Sequence, residues 1–486
     1  MSRKTYESHC FRPGCSRFIA IFMGRSRHIP AMVAVCCFLA GSALGVNPVP
    51  QVVGPVKPQA VLPGSAEFVL TVYGANFVVG AVVNWNGQAR STTFISAREL
   101  QAQILASDVA KPTAGYITVT NPPPGGGKSS SSYAIVEVHK PTKTINTGQY
   151  KQYFSGAPPW YAIAADFTND GKLDLVTGFN VIDFSKGNGD GTFQTGYTIG
   201  GTYYSGCGIA FGDFNGDGSL DLVYGWGPES GPPTYLRVLL GNGNGRFHGL
   251  PRFGFLLNDL ATGIVAGDFD SDGKLDLAAA YEGGIRGGEV YLGDGDGTFK
   301  KVWPLAEGGS IATADFNGDG KLDLVVDDQG YLFVVLGNGD GTFQKERKIA
   351  QVLGGGLAVN DFNGDGIADV AFADEVKGRI GVLIGKGDGT FEKPVFYSAG
   401  VAQNQNFQFA AGDFNSDGNT DVIVSQPGIP AENAILLGNG DGTFQKAQKL
   451  QLAAAAGTGI VVGDFNSDGL LDFAFLGDGV VVYIEK

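Results

Sequence analysis

The chain has 486 residues, a formal net charge of −14, 43% hydrophobic and 17% charged residues, and 77 Gly. That composition excludes a disordered chain and predicts a globular protein with a large apolar core, many tight turns and more than one domain. The acidic balance argues against nucleic acid and anionic membranes as partners.

Residues 1–45 differ from the rest. Arg3, Lys4, Arg12, Arg17, Arg25 and Arg27 precede an apolar run at 31–44, which ends in Ala43-Leu44-Gly45. A basic n-region, an h-region and a small-residue site predict a signal peptide over 1–45, and hence a secreted or cell-surface protein. A membrane anchor would need about 20 apolar residues, and the run has about 14. Lipid attachment at Cys36 would follow bulky Val35, where a small residue is expected. Both alternatives stay open, as does a start at Met23. Removing the leader takes away six positive charges and one negative, moving the net charge to about −19. It also removes Cys10, Cys15, Cys36 and Cys37, so only Cys207 remains and no internal disulfide staples the exported chain.

Residues 46–138 alternate apolar and polar over short runs: FVLTVY at 68–73, VVNW at 82–85, GYITVT at 115–120 and YAIVEV at 133–138. Period-two strands separated by Gly, Asn and Pro turns predict an all-β sandwich. The stretch PGSAEFVLTVYGANFVVGAVVNWNG, with the later TNPPPGGGKSSSSYAIVEV, resembles the IPT/TIG family of immunoglobulin-like domains. That resemblance places the PPPGGGKSSSS run in the last hairpin of the domain. Residues 139–148 (HKPTKTINTG) carry no apolar pattern and read as a linker.

From 149 to 486 the chain repeats. The units are DFTNDGKLD at 166, DFNGDGSLD at 213, DFDSDGKLD at 268, DFNGDGKLD at 315, DFNGDGIAD at 361, DFNSDGNTD at 413 and DFNSDGLLD at 464. Each is followed by an apolar strand, a turn and a second strand, and in six cases by a GNGDGTF-type turn. A unit of this length holds four strands, so the expectation is a seven-bladed β-propeller, preceded by the Ig-like sandwich. The seventh unit stops after VVVYI at 480–484. Its fourth strand is therefore predicted to come from 149–155, since an open ring would leave an exposed sheet edge.

In each nine-residue loop, positions 1, 3, 5 and 9 carry oxygen-bearing side chains, and Gly at position 6 allows the sharp turn. The candidate ligands are Asp166, Thr168, Asp170 and Asp174; Asp213, Asn215, Asp217 and Asp221; Asp268, Asp270, Asp272 and Asp276; and Asp315, Asn317, Asp319 and Asp323. The last three loops add Asp361, Asn363, Asp365 and Asp369; Asp413, Asn415, Asp417 and Asp421; and Asp464, Asn466, Asp468 and Asp472. Hard oxygen donors at alternating positions suit Ca²⁺. An EF-hand is rejected because position 12 is Tyr224 in the second loop and Val326 in the fourth. One such loop could be a plain Asx-type turn. Seven of them pack carboxylates in threes and fours, which repel unless a cation joins them. The motif resembles the FG-GAP/VCBS repeats of integrin-like propellers, which implies one calcium per loop, up to seven. Thr168 departs from the pattern and predicts a weaker first site; Asp270 predicts a tighter third. Seven Ca²⁺ would bring about −19 to about −5 and would replace disulfides as the staple.

The periodic Phe residues, such as Phe167 after the first ligand and Phe193 closing the second turn, read as packing between blades. Following the strands puts the acidic loops and GDGTF turns on one face and the irregular connections on the other. The irregular face carries the candidate ligand contacts Trp160, Tyr161, Tyr203, Tyr204, Trp226, Arg286, Asn404, Asn406 and Phe407. Aromatic and amide side chains suit a glycan or an extracellular protein; the competing reading is that Trp160 and Phe407 plug the central channel. For catalysis the inventory is thin, with His139 and His248 as the only histidines after the leader. The expectation is a monomeric, non-enzymatic recognition or adhesion protein, with a calcium-dependent polysaccharide-degrading enzyme of lyase type as the alternative.

Overall fold

The computed structural model describes residues 46–52, 56–129, 134–142, 147–153, 159, 161–178, 181–201, 208–226, 234–256, 260–282, 288–305, 308–352, 354–427, 432–450, 452, 459–477 and 479–485. The leader, Trp160, Tyr203, Tyr204, Cys207 and Arg286 lie outside them. Among the described residues the regular structure is entirely β.

The N-terminal part is a two-layer sandwich. Phe68–Ala75 pairs antiparallel with Glu99–Ile104, and Thr113–Asn121 runs between Val82–Trp85 and Ala134–Val138. Alternate residues of the two sheets face each other: Leu70, Val72, Leu100 and Ala102 from one, Val83, Trp85, Ile117 and Val119 from the other. All are essentially buried, which is why the sequence alternates with period two.

Between Thr147 and Glu485 the described strands form seven antiparallel sheets, six of four strands and one of five. In the fourth unit they run Ile311–Ala314, Asp323–Asp328, Tyr331–Val335 and Arg347–Gln351 in spatial order. The second strands are apolar on both faces, as in Leu324-Val325-Val326, because each sheet is covered on both sides by its neighbours. The first strands touch in succession: Tyr161–Ala165, Ile209–Gly212, Leu260–Gly267, Ile311–Ala314, Leu357–Asn360, Gln408–Gly412, Gly459–Gly463, and back to Tyr161–Ala165. The segment expected at 149–155 is the strand Thr147–Tyr153, beginning two residues earlier, and it pairs antiparallel with Val480–Glu485.

Aromatic rings join one unit to the next. Phe167 meets Phe247, Phe214 meets Phe299, Phe269 meets Phe343, Phe316 meets Phe391 and Phe362 meets Phe444, with centroids 5.5 to 5.9 Å apart. In each pair the first ring follows the first loop aspartate and the second closes the turn of the following unit. Burying rings of this size contributes about 1.5–3 kcal/mol each.

Candidate cation loops and the open face

Each acidic loop closes on its own backbone. In loop two the amides of Asp217 and Gly218 donate to Asp213 Oδ1 and Oδ2 at 3.0 and 2.8 Å, and Ser219 N donates to Asp217 Oδ1 at 2.8 Å. Loops three to seven repeat the contacts to the first aspartate. The turn needs two left-handed residues. Position 6 is the expected Gly, and position 4 is also left-handed, with φ 54° at Asn169, 60° at Ser271 and 73° at Gly216. That explains the restriction of position 4 to Asn, Ser and Gly.

The ninth aspartate has a second task. Asp221 Oδ2 accepts from Phe214 N at 2.9 Å and its Oδ1 from Gly241 N at 2.7 Å, so it ties the loop to the end of the third strand. The donating glycine is steric: a Cβ on the equivalent Gly337 would lie 2.1 Å from Leu322 O. All seven ninth aspartates, Asp174, Asp221, Asp276, Asp323, Asp369, Asp421 and Asp472, are fully buried. Burial first, and then the neighbouring loop carboxylates, pushes Asp276 up to about 9 and Asp323, Asp421 and Asp472 to about 8. Asp221 and Asp369 reach about 7, and Asp174 about 6.

These loops fit a hard cation. Asp268, Asp270 and Asp276 bring carboxylate oxygens within 4.8 Å of one another. Elsewhere position 3 is Thr168, Asn215, Asn317, Asn363, Asn415 or Asn466, which offers a hydroxyl or amide oxygen in place of a carboxylate. In loop one, Asp174 Oδ2 is buried without a hydrogen-bond partner, an acceptor that a cation would satisfy. The fifth position is less committed. Asp272 lies outside the trio of loop three and pairs with Lys274 at 3.0 Å, and Asp170 pairs with Lys186 at 2.9 Å.

The N-terminal sandwich sits on this loop face, which sequence reasoning did not foresee. Val49 N donates to Asp268 Oδ2 at 2.7 Å in loop three. Arg98 Nε lies 3.3 Å from Asp315 Oδ2 in loop four, and Lys57 Nζ 3.5 Å from Asp361 Oδ2 in loop five. Glu137 accepts from the Ser416 hydroxyl in loop six, and Tyr116 donates to Asp464 Oδ2 at 3.1 Å in loop seven. The expected linker takes part: His139 Nε2 lies 2.7 Å from Asp468 O, and Thr142 N donates to Asn415 O at 2.8 Å. No motif marks such contacts, because they join residues hundreds of positions apart.

The opposite face holds a concavity of ≈ 640 Å³ whose polar lining includes Ser310, Asp327, Asp328, Gln329 and Gln408. Asp327 Oδ1 accepts from Gly309 N and Ser310 N at 2.7 and 2.5 Å, which fixes its rim. Of the expected ligand contacts, Trp226 is half-buried and stands beside Tyr235, with the Arg252 guanidinium 4.7 Å from the Trp226 ring and 4.8 Å from the Tyr235 ring. Asn404 and Asn406 are exposed, with Asn404 left-handed at φ 58° in a turn. Two expectations change. Phe407 is 0% exposed and packs into the core shared with Phe362 and Val424, which takes it off the surface. Tyr161 packs its ring against Gly178, where a Cβ would fall 2.2 Å from it, so its body is packing.

The family profile described as FG-GAP-like repeat matches residues 166–224, 226–279, 268–326, 361–424 and 413–475. Cartilage acidic protein 1 of Xenopus tropicalis is 35% identical over 98 residues, 19% of this chain; the match spans 14% of that relative's length. Among solved structures, an Agrocybe aegerita lectin that recognises non-reducing terminal N-acetylglucosamine is 19% identical with TM-score 0.45, covering 74% of this chain and 92% of its own. An auxiliary nutrient binding protein of Bacteroides thetaiotaomicron is 11% identical with TM-score 0.37, covering 90% of this chain and 98% of its own. A Lactobacillus plantarum protein is 13% identical with TM-score 0.44, covering 67% and 98%.

Proposed function

The chain belongs to the FG-GAP-like repeat family, and from that premise we propose that it is an exported, calcium-loaded recognition or adhesion protein whose ligand binds the face opposite the acidic loops. Its repeats form a closed seven-bladed β-propeller with a structural Ca²⁺ in each acidic loop, up to seven. The preceding sandwich is an Ig-like domain of IPT/TIG type, and the leader directs export to the surface or the medium. Support for the closed ring comes from the unbroken succession of first strands and from the pairing of Thr147–Tyr153 with Val480–Glu485. Support for calcium comes from the all-oxygen donor set and the buried, mutually repelling carboxylates.

The observation that carries the choice of face is the seating of the sandwich. Contacts from Val49, Lys57, Arg98, Tyr116 and Glu137 occupy loops three to seven. A large ligand approaching the propeller is left the other face, with its polar concavity and, in its irregular connections, Trp226 beside Arg252 and the exposed Asn404 and Asn406. A glycan or an extracellular protein fits a surface of this chemistry: carboxylates and amides to meet hydroxyls and main-chain groups, and aromatic rings to meet apolar faces. Trp160, Tyr203, Tyr204 and Arg286 belong to the same proposal.

The test is a glycan and extracellular-protein array probed with the wild-type chain and with Trp226→Ala and Gln329→Ala. Loss of a specific signal in either variant supports the site, and equal signals in all three sink it. The non-enzymatic reading is tested by ultraviolet absorbance on pectin-like polysaccharides with calcium present. Release of unsaturated sugar would replace recognition by lyase activity.

A further inference from the structure

The sandwich reaches four of the acidic loops at one atom, the Oδ2 of the first aspartate. Val49 N donates to Asp268 Oδ2 at 2.7 Å, and the Tyr116 hydroxyl donates to Asp464 Oδ2 at 3.1 Å. Both of these donors are neutral. On loops four and five the group in the same place is a cation: Arg98 Nε lies 3.3 Å from Asp315 Oδ2, and Lys57 Nζ lies 3.5 Å from Asp361 Oδ2.

Neutral contacts place these two cations. Asn76 N donates to Gly320 O at 2.9 Å, and Ala97 stands against the same glycine, where a Cβ would fall 2.4 Å from its own. Arg98 then bridges two loops, with Nη2 donating to Gly366 O at 3.3 Å. The Tyr73 ring packs on Gly366, and its centroid is 5.6 Å from the Lys57 ammonium. Asp315 and Asp361 are buried, whereas the Arg98 and Lys57 side chains are 25% and 32% exposed, so both cations can withdraw into water. A cavity of ≈ 530 Å³ beside Lys57, lined by Asp361 of loop five and Asp417 of loop six, gives the ammonium room to move.

We propose that calcium and the sandwich compete for loops four and five: Arg98 and Lys57 stand in for the ion on Asp315 and Asp361, and calcium entering those loops releases both side chains. The proposal rests on the calcium reading of the loops. Two positive groups drawn to one carboxylate repel each other, and a charge already neutralised by one attracts the other less. By linkage, each weakens the other's binding by the same factor. Loops three and seven escape this competition, since a peptide N–H or a phenol on Oδ2 leaves the carboxylate its charge. The sandwich is thereby a calcium-sensitive cap. In calcium the neutral contacts of Val49, Asn76 and Tyr116 keep it on the loop face, while its Arg98 and Lys57 edge loosens.

The test is calorimetric titration of the metal-stripped full chain with calcium, comparing wild type with Lys57→Met/Arg98→Met and with Tyr116→Phe as the neutral control. The proposal expects two sites of the double variant to tighten by at least about fivefold, and none in Tyr116→Phe. Affinities in the double variant equal to those of a calcium-binding wild type overturn the competition and leave the loop reading standing. A wild-type chain that takes up no calcium overturns both. A second readout needs no variant: the acetylation rate of Lys57 in acetic anhydride, followed by mass spectrometry. It should rise in saturating calcium relative to the metal-free chain, and an equal or slower rate overturns the proposal.

Discussion

Phe193 and Phe465 meet edge to face, with centroids 5.8 Å apart at 69°, and so join the turn of the first repeat to the acidic loop of the last. Beside them Gly191 N donates to Phe465 O at 2.9 Å. The same ring pair and the same amide contact recur between earlier units, for example Gly341 N to Phe269 O at 3.1 Å. The first and last repeats are thus joined by the contact that joins consecutive ones.

Removing either ring should weaken this closure. Phe465→Ala, at a site 2% exposed, is expected to cost about 3–5 kcal/mol in urea unfolding by the cavity it leaves. A double-mutant cycle with Phe193→Ala should return a coupling of about 0.5–1.5 kcal/mol. Strictly additive losses would mean that the rings do not support each other.

The ninth aspartate, a candidate metal donor, is also a backbone clamp. Asp276 Oδ1 accepts from Gly293 N at 2.8 Å and Oδ2 from Phe269 N at 2.7 Å. In Asp276→Asn the amide nitrogen must face one of those N–H donors, leaving a buried donor unsatisfied. The metal-free variant should therefore be less stable than metal-free wild type by about 1–3 kcal/mol. Equal chemical denaturation midpoints would remove the clamp role.

Stability should slope in opposite directions with and without calcium. In the metal-free protein, burial lifts Asp276 to about 9 and Asp323, Asp421 and Asp472 to about 8, while the unfolded chain titrates near 3.8. Between those values the folded state carries more protons, so stability is greatest in acid and falls as pH rises through the folded values. Ligation reverses this, because protons compete with the cation for the same carboxylates. Melting of metal-stripped protein from pH 5 to 8 should fall with pH, and melting in saturating calcium should rise. Parallel slopes would contradict cation binding at these groups.

The sandwich should be held on the loop face partly by charge. Lys57 and Arg98 meet the first aspartates of loops five and four, and Arg98 Nη2 also donates to Gly366 O at 3.3 Å. Partly exposed pairs of this kind contribute about 0.2–1 kcal/mol each and weaken with salt. The Lys57→Met/Arg98→Met double variant should show a larger radius of gyration by small-angle scattering. A radius identical to wild type at low and high salt would show that the pairs do not hold the sandwich.

The repeat architecture was legible because one short loop carries its own steric rules. Gly at position 6, the following ninth Asp and the Phe after the first aspartate each stand where geometry leaves few choices. Even the closing strand could be located, within two residues, from a missing partner at the chain's end. What escaped notice depends on distant neighbours. The left-handed position 4 was hidden because Asn, Ser and Gly look like ordinary turn composition. Arg252, which lies over Trp226 and Tyr235, sits in a connection with no pattern of its own. Phe407 read as surface because its segment is irregular, although its ring fills the core between two sheets. Aligning the seventh unit with the others sets Glu485 against six glycines, a departure visible in the sequence.

The central claim is that the acidic loops hold calcium and that this calcium secures the fold in place of disulfides. A site with Kd near 10 μM in about 1 mM calcium would stabilise the folded chain by about 2.7 kcal/mol, and several such sites act together. The direct measurement is the calorimetric melting temperature of the full chain in 1 mM calcium and in excess EGTA at pH 7.5. The account predicts a fall of at least about ten degrees on chelation, reversed by returning calcium. An unchanged melting temperature would contradict it.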